Sequence, residues 1–322
     1  MQIHFGLALD FWSATRPLPA VLEEYVTLLD LAEGYGFDSV WAGENRPSAP
    51  QPGHLPSPLL ALAALASRTR LRLGTGVLLA PLWHPLQLAY DCAVLDQISG
   101  GRLILGVGVG APYLMKRYGL APEQTAPRMD ELLRTLKKAW KGEINPAPVQ
   151  AGGPPIWVGG KIRRSAERAA ELGDGWYAAT QYHLDLIMRQ AALYRERWSA
   201  LGRDASTAVV AVNRTTFVAE TDHEARREGK HYVGHVLDSY RAARALTDGP
   251  GNPYPAQADL FETLGEEHYF CGSPETCAAS IAKYVEAGVT RFHLRVSMGD
   301  MPLELATRTV RLIGERVLPK LR

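Results

Sequence analysis

Cysteine is scarce in this chain: three residues in 322, at Cys92, Cys271 and Cys277, with no CxxC pair and no metal-ligand spacing. A disulfide framework and a structural metal site are therefore not what organises the fold, and the thiols read as buried groups in a reducing compartment. An excess of either charge is also missing, because 35 Lys and Arg stand against 34 Asp and Glu, for a net charge of +1. Such a balance advertises neither a nucleic-acid nor a membrane surface and points to a small-molecule partner. The opening MQIHFGLAL has no basic targeting region, and no apolar run is long enough to cross a bilayer, so the expected location is the cytoplasm. There is no Ser-His-Asp order, HExxH, P-loop or outstanding pair of carboxylates, which leaves hydrolytic chemistry poorly supported.

What the chain does have is a regular alternation of short apolar runs and longer amphipathic stretches. Strands are predicted at 3–9, 37–41, 71–79, 102–107, 155–158, 175–178, 208–219 and 290–296, with helices at 18–35, 56–67, 86–98, 128–140, 165–172, 184–201, 274–287 and 303–317. Eight strand-helix alternations predict a (β/α)8 TIM barrel, and 322 residues suit a single domain of that kind over 1–322. The stretch from about 232 to 269 contains Gly249-Pro250-Gly251-Asn252-Pro253 and does not read as a crossover helix. It is taken as an insertion between the seventh and eighth strands.

Reacting groups in such a barrel belong at the C-terminal strand ends. That rule selects Asp10 and Phe11, Glu44 and Asn45, Gly76 and Val77, Gly108 to Ala111, Gly159 to Lys161, Thr180 and Gln181, and Arg295 to Met298. The run Gly159-Gly160-Lys161-Ile162-Arg163-Arg164-Ser165 joins a strand to a helix start, where free N–H groups, a cation and a hydroxyl suit a phosphate. Its alternative is an ordinary turn with a solvated basic face. Glu44 reads as a mouth carboxylate that orients substrate or relays a proton with Asn45, against the alternative of a surface acid paired with Arg46. His84, just before Pro85, reads as structural about twice as readily as catalytic. His54 sits in a proline-rich loop expected over the mouth, and Arg102, at the N-terminal end of its strand, reads as structural.

The wording of Gly74-Thr75-Gly76-Val77, Pro81, His84-Pro85 and Leu95-Asp96-Gln97-Ile98-Ser99-Gly100-Gly101-Arg102 resembles the bacterial luciferase-like flavin oxidoreductases. Further matches run along the chain at 36–41, 154–160, 173–176, 217–221, 272–275 and 317–321. This resemblance implies a barrel enzyme using FMN or the deazaflavin coenzyme F420 as carrier between the ring and a small organic substrate. It also implies a bulge at Gly76-Val77, often with a non-proline cis peptide, backing the ring. The phosphate would meet Gly159, Gly160, Lys161, Ile162 and Ser165, and the ring edge and ribityl chain would pass Thr75, Gly108, Val109 and Gly110.

Two positions depart from the luciferases. Glu44-Asn45-Arg46 replaces their Glu-His-His, and Val109 replaces an arginine, so light emission is not expected. The Gly106 to Gly110 pattern is closer to the F420-dependent branch, whose longer anionic tail would pass Lys161, Arg163 and Arg164. The alternative within the family is an FMN monooxygenase fed by a separate reductase; outside it stands a non-catalytic flavin-binding barrel. A partner reductase or F420-reducing enzyme and a homo-oligomer both stay open.

Overall fold

The computed structural model describes residues 2–11, 13, 15–46, 55, 57–243, 245–246 and 254–321. Ten strands run in chain order: β1 (His4–Leu9), β2 (Ser39–Ala42), β3 (Arg72–Thr75), β4 (Leu78–Leu79), β5 (Leu103–Gly108), β6 (Ile156–Gly159), β7 (Gly175–Ala178), β8 (Val209–Val218), β9 (Tyr269–Gly272) and β10 (Arg291–Arg295). All pairings are parallel, in the order β10-β1-β2-β3-β5-β6-β7-β8, and β10 also pairs with β8, so the sheet closes on itself. Parallel neighbours need crossovers, and helices over the outside supply them. The fold is the (β/α)8 barrel that the alternation predicted, with β3 and β4 sharing one strand position.

Local chemistry explains where several helices begin and end. Pro85–Ser99 starts with proline at its first position and His84 as cap, Nδ1 accepting the Gln87 N–H at 3.4 Å; it stops at Gly100, which is left-handed at φ 66°. His84 is therefore a helix cap in this structure. Arg102 donates to the carbonyls of Ala66, Thr69, Leu71 and Ser99, tying the end of helix Pro58–Ala66 to the start of β3, as its position on the stability face suggested. None of the described helices is long and apolar enough to cross a membrane.

The structure departs from the sequence reading in four places. The single strand expected over 71–79 is two: it is interrupted at Gly76-Val77, where the peptide is cis as the family resemblance implied, and resumes as β4 on the β5 side alone. The helix expected from Arg128 begins at Pro122, since proline is tolerated in a first turn, and a short helix Pro112–Arg117 precedes it. Helix Asp222–Ala242 runs through Tyr232, so the irregular passage starts later than 232; its residues 247–253 lie outside the described ones. Before β10 the chain also adds β9, which pairs with the C-terminal half of β8 (Thr215↔Tyr269 to Val218↔Gly272) and was not expected as a strand.

Candidate functional site

Side chains alternate across a strand, so barrel register decides which residues look inward. Pairing of Ala8 with Trp41, Trp41 with Gly74, Gly106 with Trp157 and Gly159 with Tyr177 puts all of these in inner layers. Trp41, Trp157 and His293 stack with nearly parallel rings, Trp41 and His293 at 3.7 Å between centroids, and fill the floor. Such large rings fit because neighbours are glycine: a Cβ on Gly74 would lie 2.3 Å from the Trp41 ring. His293 Nδ1 meets the Tyr177 hydroxyl at 3.1 Å, and Asn213 Nδ2 donates to that hydroxyl at 3.4 Å.

One residue pair further toward the C-terminal ends, the two sides of the mouth differ. On the β2, β3, β5 and β6 side the inward positions are Gly43, Gly76, Gly108 and Gly159, with half-buried Val77 projecting from the bulge. A Cβ on Gly108 would sit 2.9 Å from Val77 Cγ2, and one on Gly76 2.6 Å from the Tyr177 hydroxyl, so this wall is backbone by necessity. A flat ligand can lie against it without a side chain intervening. On the β1, β8 and β10 side stand Asp10, Asn213, Thr215 and Arg295. Arg295 Nε donates to Asp10 Oδ2 at 2.8 Å and its NH1 to the Tyr240 hydroxyl at 3.2 Å. Burial opposes the guanidinium's charge, but Asp10 and Tyr240 together outweigh that and hold its pKa above the usual range. Asn213 Oδ1 and Thr215 Oγ1, both buried, have no hydrogen-bond partner among the described residues.

The turn after β6 packs a glycine against a buried serine at an uncapped helix start. Gly160 has φ 150°, and a Cβ there would fall 2.2 Å from Ser165 Oγ, so only glycine fits above that buried serine. Helix Arg163–Leu172 begins without a side-chain cap, which leaves first-turn N–H groups available, and Trp176 Nε1 anchors the turn through the Gly160 carbonyl at 3.2 Å. Lys161 and Ile162 are exposed beside it.

Not every expected site residue stands where the sequence reading put it. Thr75 is fully buried and donates to the Gly106 carbonyl at 2.7 Å, so its hydroxyl bridges strands instead of facing a ring. The Glu44 side chain is wholly buried: Oε2 accepts from Leu79 N–H at 2.7 Å and Trp83 Nε1 at 3.0 Å, and Oε1 accepts from Arg46 Nε. Burial pushes its pKa up, against those donors. Neither an open mouth carboxylate nor a surface acid describes it. Asn45 is exposed, with its N–H on the Leu55 carbonyl at 2.9 Å. Arg163 pairs with Glu167 at 2.8 Å, and Arg164 with Glu171 at 2.8 Å, so each guanidinium already has a carboxylate partner on its own helix. Gly76, Val77, Val109, Gly110, Gly159 and Gly160 are partly exposed at the mouth, Gly108 is buried behind Val77, and His54 lies outside the described residues.

Asp10 and Arg295 were among the strand ends selected from the sequence; their pairing, and the inward Asn213 and Thr215, were the part missed. Counting every second residue from Gly6 along β1 puts Asp10 inward, but nothing local pairs it with Arg295, 285 positions away. Tyr177 and His293 are likewise joined only by barrel closure.

Two buried histidines make stability acid-sensitive. Burial, with Arg214 and His183 adding to it, holds His268 at about 3 instead of 6.5, and burial with Arg291 holds His293 well below 6.5. Below pH 6.5 the unfolded chain takes up protons that the folded one refuses, so stability is full above that pH and falls toward pH 3. The slope is about 1.4 kcal/mol per pH unit for each histidine. Urea unfolding at several pH values should show the fall, and His268→Gln should reduce its slope by about half; an unchanged slope would mean His268 is protonated in the fold.

Comparisons with known proteins agree with this fold. A profile of the family described as luciferase-like monooxygenase matches residues 1–291. The chain is 34% identical over 175 residues to the oxygenase component of the flavin-dependent trigonelline monooxygenase of Acinetobacter baylyi, covering 47% of this chain and 46% of that one. It therefore spans about half the length of that relative. The oxygenating constituent of 3,6-diketocamphane monooxygenase from Pseudomonas putida, solved with FMN, superposes with a TM-score of 0.80 at 25% identity over 99% of this chain and 98% of that one. An F420-dependent secondary alcohol dehydrogenase shares the fold at a TM-score of 0.74 and 18% identity, with both chains covered completely.

Proposed function

This chain belongs to the luciferase-like monooxygenase family, and on that premise we propose that it is the oxygenase component of a two-component system. It takes reduced FMN from a separate reductase and oxygenates a small organic substrate. Bound reduced flavin supplies the two electrons with which oxygen is activated. The chain itself holds the phosphate at Gly159 to Ser165 and gives the ring the glycine-and-Val77 wall to lie against. Trp41, Trp157 and Tyr177 close the floor beneath it to water. Substrate then has the opposite face, where Asp10 and Arg295 stand as a neutral, hydrogen-bonding pair.

The observation that carries FMN over F420 is the pairing of Arg163 and Arg164 with Glu167 and Glu171. The turn offers backbone donors and Lys161 to one phosphate, while a longer polyanionic tail finds both arginines already engaged. The F420 reading keeps one support, the small neutral run Gly108-Val109-Gly110-Ala111 beside the ring position. Titrating the protein with each cofactor and following fluorescence decides between them. FMN should bind more tightly, and Arg163→Ala with Arg164→Ala should change neither affinity. Tighter F420 binding that weakens in the double variant would move the enzyme to the F420 branch. A parent that binds either cofactor but never consumes oxygen or substrate would be the non-catalytic barrel.

A further inference from the structure

The bulge at Gly76-Val77 breaks the ladder between β2 and the strand position beside it. Ala42↔Thr75 is the last pair. Gly76 N–H still reaches the Ala42 carbonyl at 2.9 Å, and Glu44 N–H the Val77 carbonyl at 3.0 Å. Beyond that point the chain has become β4, which pairs with β5 alone. The Leu79 amide thus turns back toward β2 and finds no carbonyl there. A buried N–H without an acceptor is destabilising, and the Glu44 carboxylate meets it at 2.7 Å.

We infer that Glu44 is a positioning residue for the cofactor ring: its carboxylate takes the ladder place of a missing β2 carbonyl and thereby fixes Val77. This rests on the reading above that the ring lies against Val77. Three donors converge on the two oxygens, the Leu79 amide, the Trp83 indole and Arg46 Nε. Arg46 is in turn held over the faces of Trp83 and Tyr118, at 5.9 and 5.2 Å from their centroids. With no exposed surface, the carboxylate touches neither ring nor substrate where it stands.

The arrangement separates positioning from proton transfer. Glutamine at 44 keeps one oxygen for Leu79 N–H, but its amino group would face Arg46 Nε, donor against donor, so E44Q alone disturbs both roles. Pairing Glu44→Gln with Arg46→Met removes that conflict and the ionisable group while retaining the acceptor; Glu44→Leu with Arg46→Met removes the acceptor too.

The test compares both double variants with the parent, using whichever of FMN and F420 the parent binds. The readouts are the circular dichroism induced in the cofactor's visible bands, its Kd, and the pH profile of air oxidation of the reduced, bound cofactor. The glutamine pair should keep the parental band shape and pH profile, with Kd within about threefold, and the leucine pair should alter the bands and weaken binding by about tenfold or more. If the glutamine pair loses a limb of the pH profile with its bands intact, Glu44 moves a proton and the inference fails. Parental bands and Kd in the leucine pair also overturn it, while the cofactor reading stands. Binding of neither cofactor by the parent overturns both. Should the leucine pair not fold, Trp83→Phe withdraws one donor from the same carboxylate and must still alter the bands; unaltered bands count against the inference.

Discussion

Replacing Gly160 with valine is expected to cost the protein its cofactor. The first added carbon would lie 2.2 Å from Ser165 Oγ and 2.5 Å from its Cβ, on a serine that is itself buried, so the turn must open. Opening it displaces the uncapped N–H groups at the start of helix Arg163–Leu172, and hydrogen bonds to a charged group are worth about 1.5–3 kcal/mol each. Loss of even two such bonds predicts at least a hundredfold weaker binding, about 3 kcal/mol. Ser165→Ala, which leaves the backbone in place, should weaken binding only about tenfold. Equilibrium titration of both variants checks the ordering. Parental affinity in Gly160→Val would put the phosphate elsewhere, whereas a general loss of folding would appear in the far-ultraviolet spectrum and disqualify the comparison in favour of Ser165→Ala.

The second large effect concerns stability. Arg214 is completely buried on the outer side of β8, and among the described residues no carboxylate pairs with it. Its guanidinium donates to the Tyr284 hydroxyl at 2.9 Å and to the carbonyls of Asn213, Thr180, Ala179 and Tyr182, the last at 2.6 Å, and it lies 5.0 Å from the Tyr284 ring centroid. One side chain therefore satisfies the carbonyls of the segment leaving β7 and ties it to helix Pro274–Glu286. Arg214→Met keeps much of the volume and removes every donor. Each buried acceptor left unsatisfied costs about 1–3 kcal/mol, and removing a buried charge returns part of that, so the net loss should be about 3–5 kcal/mol. Calorimetry should place the melting point lower by about 4–7 °C. A shift of less than about 2 °C would show that the segment can rehydrate its carbonyls.

These outcomes divide along a line already visible in particular residues. The strand Gly175–Ala178 was readable within its own boundaries because a short apolar run after the turn residues Gly173-Asp174 has few alternatives. Gly100-Gly101 likewise acts within a local turn, the Gly101 N–H closing on the Asp96 carbonyl at 2.8 Å, whereas Arg102 beside it clamps carbonyls of Ala66, Thr69 and Leu71 that lie more than 30 positions away. Arg163 and Arg164, by contrast, were read as cofactor cations. The i,i+4 spacing of Arg163 to Glu167 was present in the sequence, but only the helix face shows that Glu171 and Asp130 also surround Arg164.

Glu44 marks the same boundary at the site. Its place at a strand end was legible, and so was the bulge at Gly76-Val77. The direction of its side chain was not, because that depends on which amide the bulge leaves unpaired on the neighbouring strand. By itself, then, the sequence determined the barrel, the family and the strand ends that form the mouth, since periodicity and turn residues act within a few positions. Tertiary structure alone decided which of those residues face inward, that Asp10 meets Arg295, and that Glu44 is buried in the wall. Those contacts form only when strands distant in the chain close into one ring and their register is set.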